Sequence, residues 1–218
     1  MTPWADLLLM ALILAGLAML GSSRLEGLAR WMSVQGLIVA TLPLVLHPAA
    51  AVSAEEWGLA LVTAAIKAVV FPALVRKALC KTSAKREIEP YVGANASVLI
   101  GIVVLGVFFW IGARLPLPPA ARDALAAPAG LFTLWTGLFL ICARCKAITQ
   151  VIGFVTLENG VYVLGAALVR GAPGLIELGI LLDVFVGVFI MAIVLFHISR
   201  EFGDSDASRL DQLKDIPA

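Results

Sequence analysis

Three ionisable residues, Lys67, Glu158 and Asp183, lie in the middle of long apolar stretches of the sequence. A charge at the centre of a lipid bilayer costs about 2.5–3.5 kcal/mol even on a lenient insertion scale, and residues that carry it commonly mark ion pathways or proton relays. Two carboxylates that share a buried site cannot ionise independently, so such a pair can take up and release a proton. The three residues therefore predict proton transfer near the centre of a membrane.

Four further polar residues extend this candidate site: Tyr162, Asn159, Gln35 and His197. Tyr162 follows Glu158 by four residues and shares its face of a helix. His197 lies at the cytoplasmic end of the segment that contains Asp183, and Gln35 lies toward the inside of another segment. We expect these side chains, with water between them, to line a polar path from the cytoplasm to the membrane centre.

A structural role is the alternative for the same residues. Lys67 can pair with Glu158 or Asp183 and simply hold the helices together, and Gln35 can bridge two helices by hydrogen bonds. Pro72 follows Lys67 by five residues and leaves a backbone carbonyl near Ala68 without its helical partner, so we expect the helix to bend there. A bend beside a buried charge also suits a hydrated cavity.

The elements that must position these residues are membrane-spanning helices. Of the 218 residues, 61% are hydrophobic and 14% are charged, against about 25% charged in soluble domains. Mean hydropathy is +1.00. Apolar runs near the length that crosses ~30 Å of hydrocarbon recur throughout the chain. We read seven spans, at about 4–21, 29–46, 57–76, 91–112, 128–142, 148–169 and 174–198.

The sequence thus predicts an all-α integral membrane protein with about seven transmembrane helices. At about 1.5 Å per residue, the three ionisable residues all lie about 14–16 Å deep in their spans. Small residues inside the spans predict close helix packing. We assign this role to seven glycines: Gly16, Gly101, Gly106, Gly153, Gly160, Gly165 and Gly187.

Basic residues follow the odd-numbered spans. Twelve of the 16 Lys and Arg residues, among them Arg144, lie in the segments after spans 1, 3, 5 and 7, and three lie on the opposite side. The positive-inside rule then puts the N-terminus outside and the C-terminus in the cytoplasm of a bacterial or archaeal inner membrane. We divide the chain into a four-helix segment (1–127), a three-helix segment (128–200) and a cytoplasmic tail (201–218).

The three cysteines, Cys80, Cys142 and Cys145, fall on the cytoplasmic side, where disulfides are not expected. Cys142 and Cys145 have the spacing of redox and metal motifs and, with Cys80 and His197, could form a four-ligand site. No second paired motif accompanies them, so small residues at a helix end are the preferred interpretation. Motifs for phosphate binding, nucleophilic catalysis and haem attachment do not occur. We predict no catalytic residue, metal, cofactor or nucleic-acid partner, and no enzyme that acts alone.

The run QVIGFVTLENGVY, from Gln150 to Tyr162, resembles the signature of the hydrogenase-4 component E family. These are multi-pass subunits of membrane-bound group 4 nickel–iron hydrogenase and formate hydrogenlyase complexes. Lys67 with Pro72, and the stretch from Arg30 to Gln35, fit the same pattern, and the resemblance covers essentially the whole chain.

The last three spans are also similar to the K subunit of respiratory complex I and to the C subunit of multisubunit cation/proton antiporters. Asp183, followed by Gly187, takes the place of the third-helix glutamate of that family. Glu158 resembles its second-helix glutamate in depth and role, although the spacing from Glu158 to Gly153 and Asn159 differs from the family pattern.

The resemblance implies that the protein moves protons or sodium ions in the membrane arm of a large complex. The implied partners are antiporter-like membrane subunits and a membrane anchor subunit that carries a hydrogenase-like peripheral arm. Two alternatives remain open from the sequence. One is a scaffold between active subunits. The other is a stand-alone secondary transporter, which would have internal repeats and broken helices, whereas the sequence offers only Pro72 and no repeat.

Overall fold

A computed structural model of the chain describes residues 3–46, 58, 61, 65–71, 73, 75, 91–115, 125–144 and 146–168. Asp183, His197, Cys80, Cys145 and the predicted tail lie outside these residues. Within them the chain forms five α-helices and one short π-helical segment. In chain order these are α1 (Pro3–Gly21), α2 (Leu25–Leu46), the π-helical segment (Ile66–Val70), α3 (Ala94–Arg114), α4 (Ala126–Ala143) and α5 (Ala147–Leu168).

Four of the five described α-helices are long and apolar enough to cross a membrane, namely α1, α3, α4 and the part of α5 between Ile148 and Gly165. Their sequences are rich in Leu, Ile, Val and Ala, and a backbone in lipid must satisfy its own hydrogen bonds, which a helix does. For the described residues, this confirms the predicted helical architecture and supports an integral membrane protein. The count of seven spans and the sides on which the termini lie remain predictions.

Helices α4 and α5 pack antiparallel, backbone against backbone. A β-carbon at Gly137 of α4 would overlap the backbone of Leu157, and one at Gly160 of α5 would overlap the backbone of Leu134. A β-carbon at Gly153 would lie 2.8 Å from the carbonyl oxygen of Gly137. Only glycine allows two helices to approach this closely, so the packing role predicted for Gly153 and Gly160 is confirmed.

Helices α1 and α2 pack beside this pair and complete the described core. Gly16 of α1 faces Phe132 and Thr136 of α4. Around these contacts lie two groups of buried apolar side chains. One group includes Leu9, Leu12, Val39, Leu42, Phe132 and Val163. The other includes Met19, Leu28, Met32, Phe71, Leu140 and Ile152, and it brings the region around Lys67 against α2 and α5.

Helix α3 lies at the margin of the described bundle. It meets α1 where Gly101 packs on Leu20, and it meets α4 where Gly112 packs on Pro128. Most of its other large apolar side chains are exposed, including Leu99, Ile102, Val103 and Trp110. Gly106, predicted to pack, has no atom within 4 Å of the place of its β-carbon, so that prediction is wrong for contacts within the described structure.

Candidate functional site

Lys67 belongs to the π-helical segment rather than to a regular α-helix. Pro72 follows in the sequence and has no amide hydrogen, so the α-helical bonding pattern cannot run unbroken through this part of the span. Across from the segment, Gly36 of α2 lies so close that a β-carbon there would be 2.8 Å from the Lys67 carbonyl oxygen. Helix α2 therefore supports the backbone of Lys67 directly. Single π-helical turns occur frequently at functional sites.

Lys67 and Glu158 form a buried ion pair. The Lys67 Nζ atom donates a hydrogen bond to Glu158 Oε1 at 2.9 Å and another to Asn159 Oδ1 at 3.1 Å. The two charged side chains are 1% and 2% exposed. The same Nζ atom lies 5.6 Å from the centre of the Tyr162 ring. Four of the residues predicted from the sequence thus meet at one place in the bundle.

Charge and geometry at this place are complementary. Removing two charges from water is costly, and their mutual attraction offsets that cost only when the geometry is good and further hydrogen bonds are made. Asn159 supplies such a bond, and the face of the Tyr162 ring attracts the ammonium group. The short Nζ–Oε1 hydrogen bond is a route along which one proton can pass between Lys67 and Glu158.

Gln35 is fully buried, yet the described structure gives its side-chain amide nitrogen and oxygen no hydrogen-bond partner. The same holds, within the residues described, for Thr136 Oγ1 and for Asn159 Nδ2. Buried polar groups in native proteins nearly always bond to protein or to ordered water. Gln35 precedes Gly36, which contacts the Lys67 backbone. The Gln35 side chain nevertheless makes no hydrogen bond to the ion pair.

The other predicted site residues are not placed. Asp183 and His197 lie outside the described part of the chain, so the expected pairing of Glu158 with Asp183 stays a prediction. Cys142 is exposed and carries a free thiol at the end of α4. Cys80 and Cys145 lie outside the described ranges.

Sequence reasoning missed the burial of Arg144. It counted this residue among the cytoplasmic charges, but the side chain is 1% exposed. Its Nη2 atom donates to the Leu20 carbonyl oxygen at 3.2 Å, while Nε and Nη1 have no partner among the residues described. The available signal was its place directly after α4, from which a guanidinium can reach the exposed carbonyl groups at helix ends.

Comparison with known proteins supports part of the resemblance. The chain is 29% identical over 206 residues to Uncharacterized protein Rv0085 of Mycobacterium tuberculosis, an alignment that covers 94% of this chain and 93% of that protein. It is 34% identical over 113 residues to Hydrogenase-4 component E of Escherichia coli K12 and of Shigella flexneri. That alignment covers 52% of this chain and spans about half, 51%, of those relatives.

No family model matches the chain, and no solved structure is significantly similar to it. The resemblance to hydrogenase-4 component E is therefore supported over about half of the chain. The resemblance to the complex I K subunit and to the antiporter C subunit stays a prediction.

Proposed function

We propose that the protein is a non-catalytic membrane-arm subunit of a multisubunit, redox-driven complex related to group 4 hydrogenases and complex I. In this role its buried carboxylates take part in moving protons or sodium ions. The observation that carries the proposal is the Lys67–Glu158 ion pair, buried among apolar helices long enough to cross a membrane. The similarity to Hydrogenase-4 component E indicates the kind of complex.

The proposed setting follows from the same resemblance. The protein lies in a bacterial or archaeal cytoplasmic membrane, beside antiporter-like subunits and an anchor subunit that carries the hydrogenase-like peripheral arm. Redox cofactors belong to that arm, and this chain supplies ionisable side chains only.

The ion pair suggests a balanced cycle for proton movement. At rest Lys67 is an ammonium group and Glu158 a carboxylate. A proton that arrives from Asp183 binds Glu158 and neutralises its charge. Glu158 then attracts the Lys67 ammonium group less strongly, and Lys67 gives a proton to the next acceptor. Transfer of the Glu158 proton to Lys67 along their hydrogen bond restores the pair. One proton has entered and one has left.

Neutral variants of the two carboxylates test the proposal in the assembled complex. We expect Glu158→Gln and Asp183→Asn each to lower the turnover-driven rate of proton uptake in inverted vesicles on the order of 100-fold, the contribution of a positioned proton-transfer group to a rate. Glu26→Gln is the matched control, because Glu26 is an exposed carboxylate in the first turn of α2. Unchanged coupling in an assembled Glu158→Gln complex would contradict the proposal.

A scaffold role is the second candidate, and the same ion pair favours it. The pair joins two parts of the chain that are 91 residues apart in sequence. If the ion pair only holds these two parts of the chain together, Glu158→Gln reduces the amount of assembled complex on a native gel. The complex that does assemble then keeps normal coupling. The relay proposal instead expects lost coupling in the complex that does assemble, even where the uncompensated Lys67 charge lowers the amount assembled.

A further inference from the structure

The ammonium group of Lys67 occupies a position whose lining is that of a cation-binding site. Its Nζ atom is 2.9 Å from a Glu158 carboxylate oxygen and 3.1 Å from the Asn159 carbonyl oxygen, and it faces the Tyr162 ring at 5.6 Å. Carboxylate and carbonyl oxygens are the ligands that hard cations prefer, and an aromatic face also attracts cations. A cation tethered to the chain thus fills the place that a free metal ion would take.

Because the site is buried, a sodium ion cannot bind there while the Lys67 ammonium group is present. Lys67 and Glu158 are almost wholly inaccessible to water, and like charges repel each other far more strongly there than in water. A sodium ion would have to approach the ammonium group, lose its water shell and find several oxygen ligands, whereas the Glu158 and Asn159 oxygens already accept hydrogen bonds from Nζ. A proton needs no set of oxygen ligands and no space of its own, because it forms a covalent bond to one carboxylate oxygen and neutralises it.

We infer that Lys67 determines the ion selectivity of the site: its ammonium group excludes sodium from Glu158, and the ion that moves through the site is the proton. The inference rests on the proposed function for the movement itself, while the exclusion is a binding property with its own test. Without the ammonium group, the Glu158 carboxylate, the Asn159 carbonyl and the Tyr162 ring would form a vacant site for a monovalent cation.

Two substitutions at Lys67 in the purified full-length chain test the exclusion. Thermal unfolding is followed in sodium chloride and in choline chloride of equal ionic strength. We expect sodium to raise the Tm of Lys67→Met above its value in choline, because binding to the folded state stabilises it. We expect no sodium-specific shift in the wild type or in Lys67→Arg, which keeps a cation in place.

The double variant Lys67→Met/Glu158→Gln is the control for the carboxylate and should lose the sodium-specific shift. A sodium-specific rise in the Tm of the wild type, or equal Tm values of folded Lys67→Met in the two salts, overturns the inference.

Transport by the wild-type complex gives a second readout that does not depend on the folding of Lys67→Met. Turnover in inverted vesicles should take up protons equally in sodium and in choline media and should accumulate no radioactive sodium. Sodium uptake that is driven by turnover and lost in Glu158→Gln overturns the inference. The two hypotheses fail in different ways. If the proposed function is wrong, Glu158→Gln keeps normal coupling. If only the selectivity inference is wrong, coupling depends on sodium and Glu158→Gln abolishes it.

Discussion

At the scale of single residues, the Lys67–Glu158 pair joins stability to function. A buried ion pair adds little net stability over apolar residues of the same size, yet removal of one partner leaves a buried charge without compensation. The Asn159 carbonyl oxygen also accepts a hydrogen bond from Lys67. Substitution of one residue of such a pair should therefore lower the stability much more than substitution of both. This difference tests the structural contribution of the pair.

We expect Lys67→Met to lower the free energy of unfolding by about 3–5 kcal/mol, because Glu158 then stays buried without its counter-charge. The double variant Lys67→Met/Glu158→Met removes both charges and should recover most of this loss. The measurement is reversible unfolding of the purified chain in mixed micelles. A double variant that is no more stable than Lys67→Met would show that the two residues do not act as a pair in the folded protein.

The sequence identified the members of this pair and two of their neighbours, Asn159 and Tyr162, but not which acid Lys67 meets. Lys67 and Glu158 stood out because a charge in an apolar span is expensive, and Asn159 followed by adjacency. The sequence could not show whether Lys67 meets Glu158 or Asp183. The depth of a residue in its span does not reveal which way its side chain faces around the helix axis. For the same reason the burial of Arg144, and of Gln35 without a hydrogen-bond partner in the described structure, could be seen only once helices were packed.

At the scale of elements, the α4–α5 contact depends on glycine. We expect Gly137→Ala to lower the free energy of unfolding by about 1–3 kcal/mol or more, the usual cost of forcing extra atoms into a packed core, because its β-carbon would overlap the Leu157 backbone. Gly106→Ala in α3 is the control, since the described structure leaves open space there. It should be neutral or stabilising by up to about 1 kcal/mol, the helix preference of Ala over Gly. Thermal melts of both variants measure the difference.

Helix α2 and the π-helical segment give a second prediction at this scale. A β-carbon at Gly36 would lie 3.0 Å from the Lys67 β-carbon and closer still to its carbonyl oxygen, so Gly36→Ala should displace Lys67 from Glu158. We expect proton coupling to fall on the order of tenfold or more, since small displacements of reacting groups are costly.

The control for Gly36→Ala lies on the same helix. A β-carbon at Gly27 would meet only the hydroxyl oxygen of Ser22 at close range, and that side chain can rotate away. Gly27→Ala should therefore keep normal coupling. Equal coupling in the two variants, measured as proton uptake per turnover, would show that the contact with α2 does not position Lys67.

Element bounds were predictable from the sequence, and packing faces were not. Four predicted spans agree with α1, α3, α4 and α5 to within a few residues because long apolar runs define them. Gly153 and Gly160 pack as predicted, while Gly106 has no neighbour among the described residues, since a sequence shows that a residue is small but not which side of the helix has a neighbour. The close approach of Gly36 to the π-helical turn at Lys67 was likewise not visible in the sequence.

At the scale of the whole molecule, three chain segments meet at one end of the bundle. The Arg144 side chain bonds to Leu20 at the end of α1. The Tyr91 amide, just before α3, donates to the Ala143 carbonyl oxygen at the end of α4 at 3.2 Å. The end of α1, the residue before α3 and the end of α4 therefore lie together, which agrees with the predicted alternation of sides along the sequence. The absolute orientation follows from the positive-inside rule alone and is open to test.

We expect the thiol of Cys142, exposed at that same end, to face the cytoplasm, because the positive-inside rule assigns the end of α4 to that side. With Cys80 and Cys145 replaced by Ser, a membrane-impermeant maleimide should label Cys142 in inverted vesicles and not in intact cells. In a background without cysteines, Arg114→Cys at the opposite end of α3 should label only from outside. The reversed pattern would place the N-terminus in the cytoplasm, and labelling of both positions from one side would contradict the antiparallel arrangement of α3 and α4.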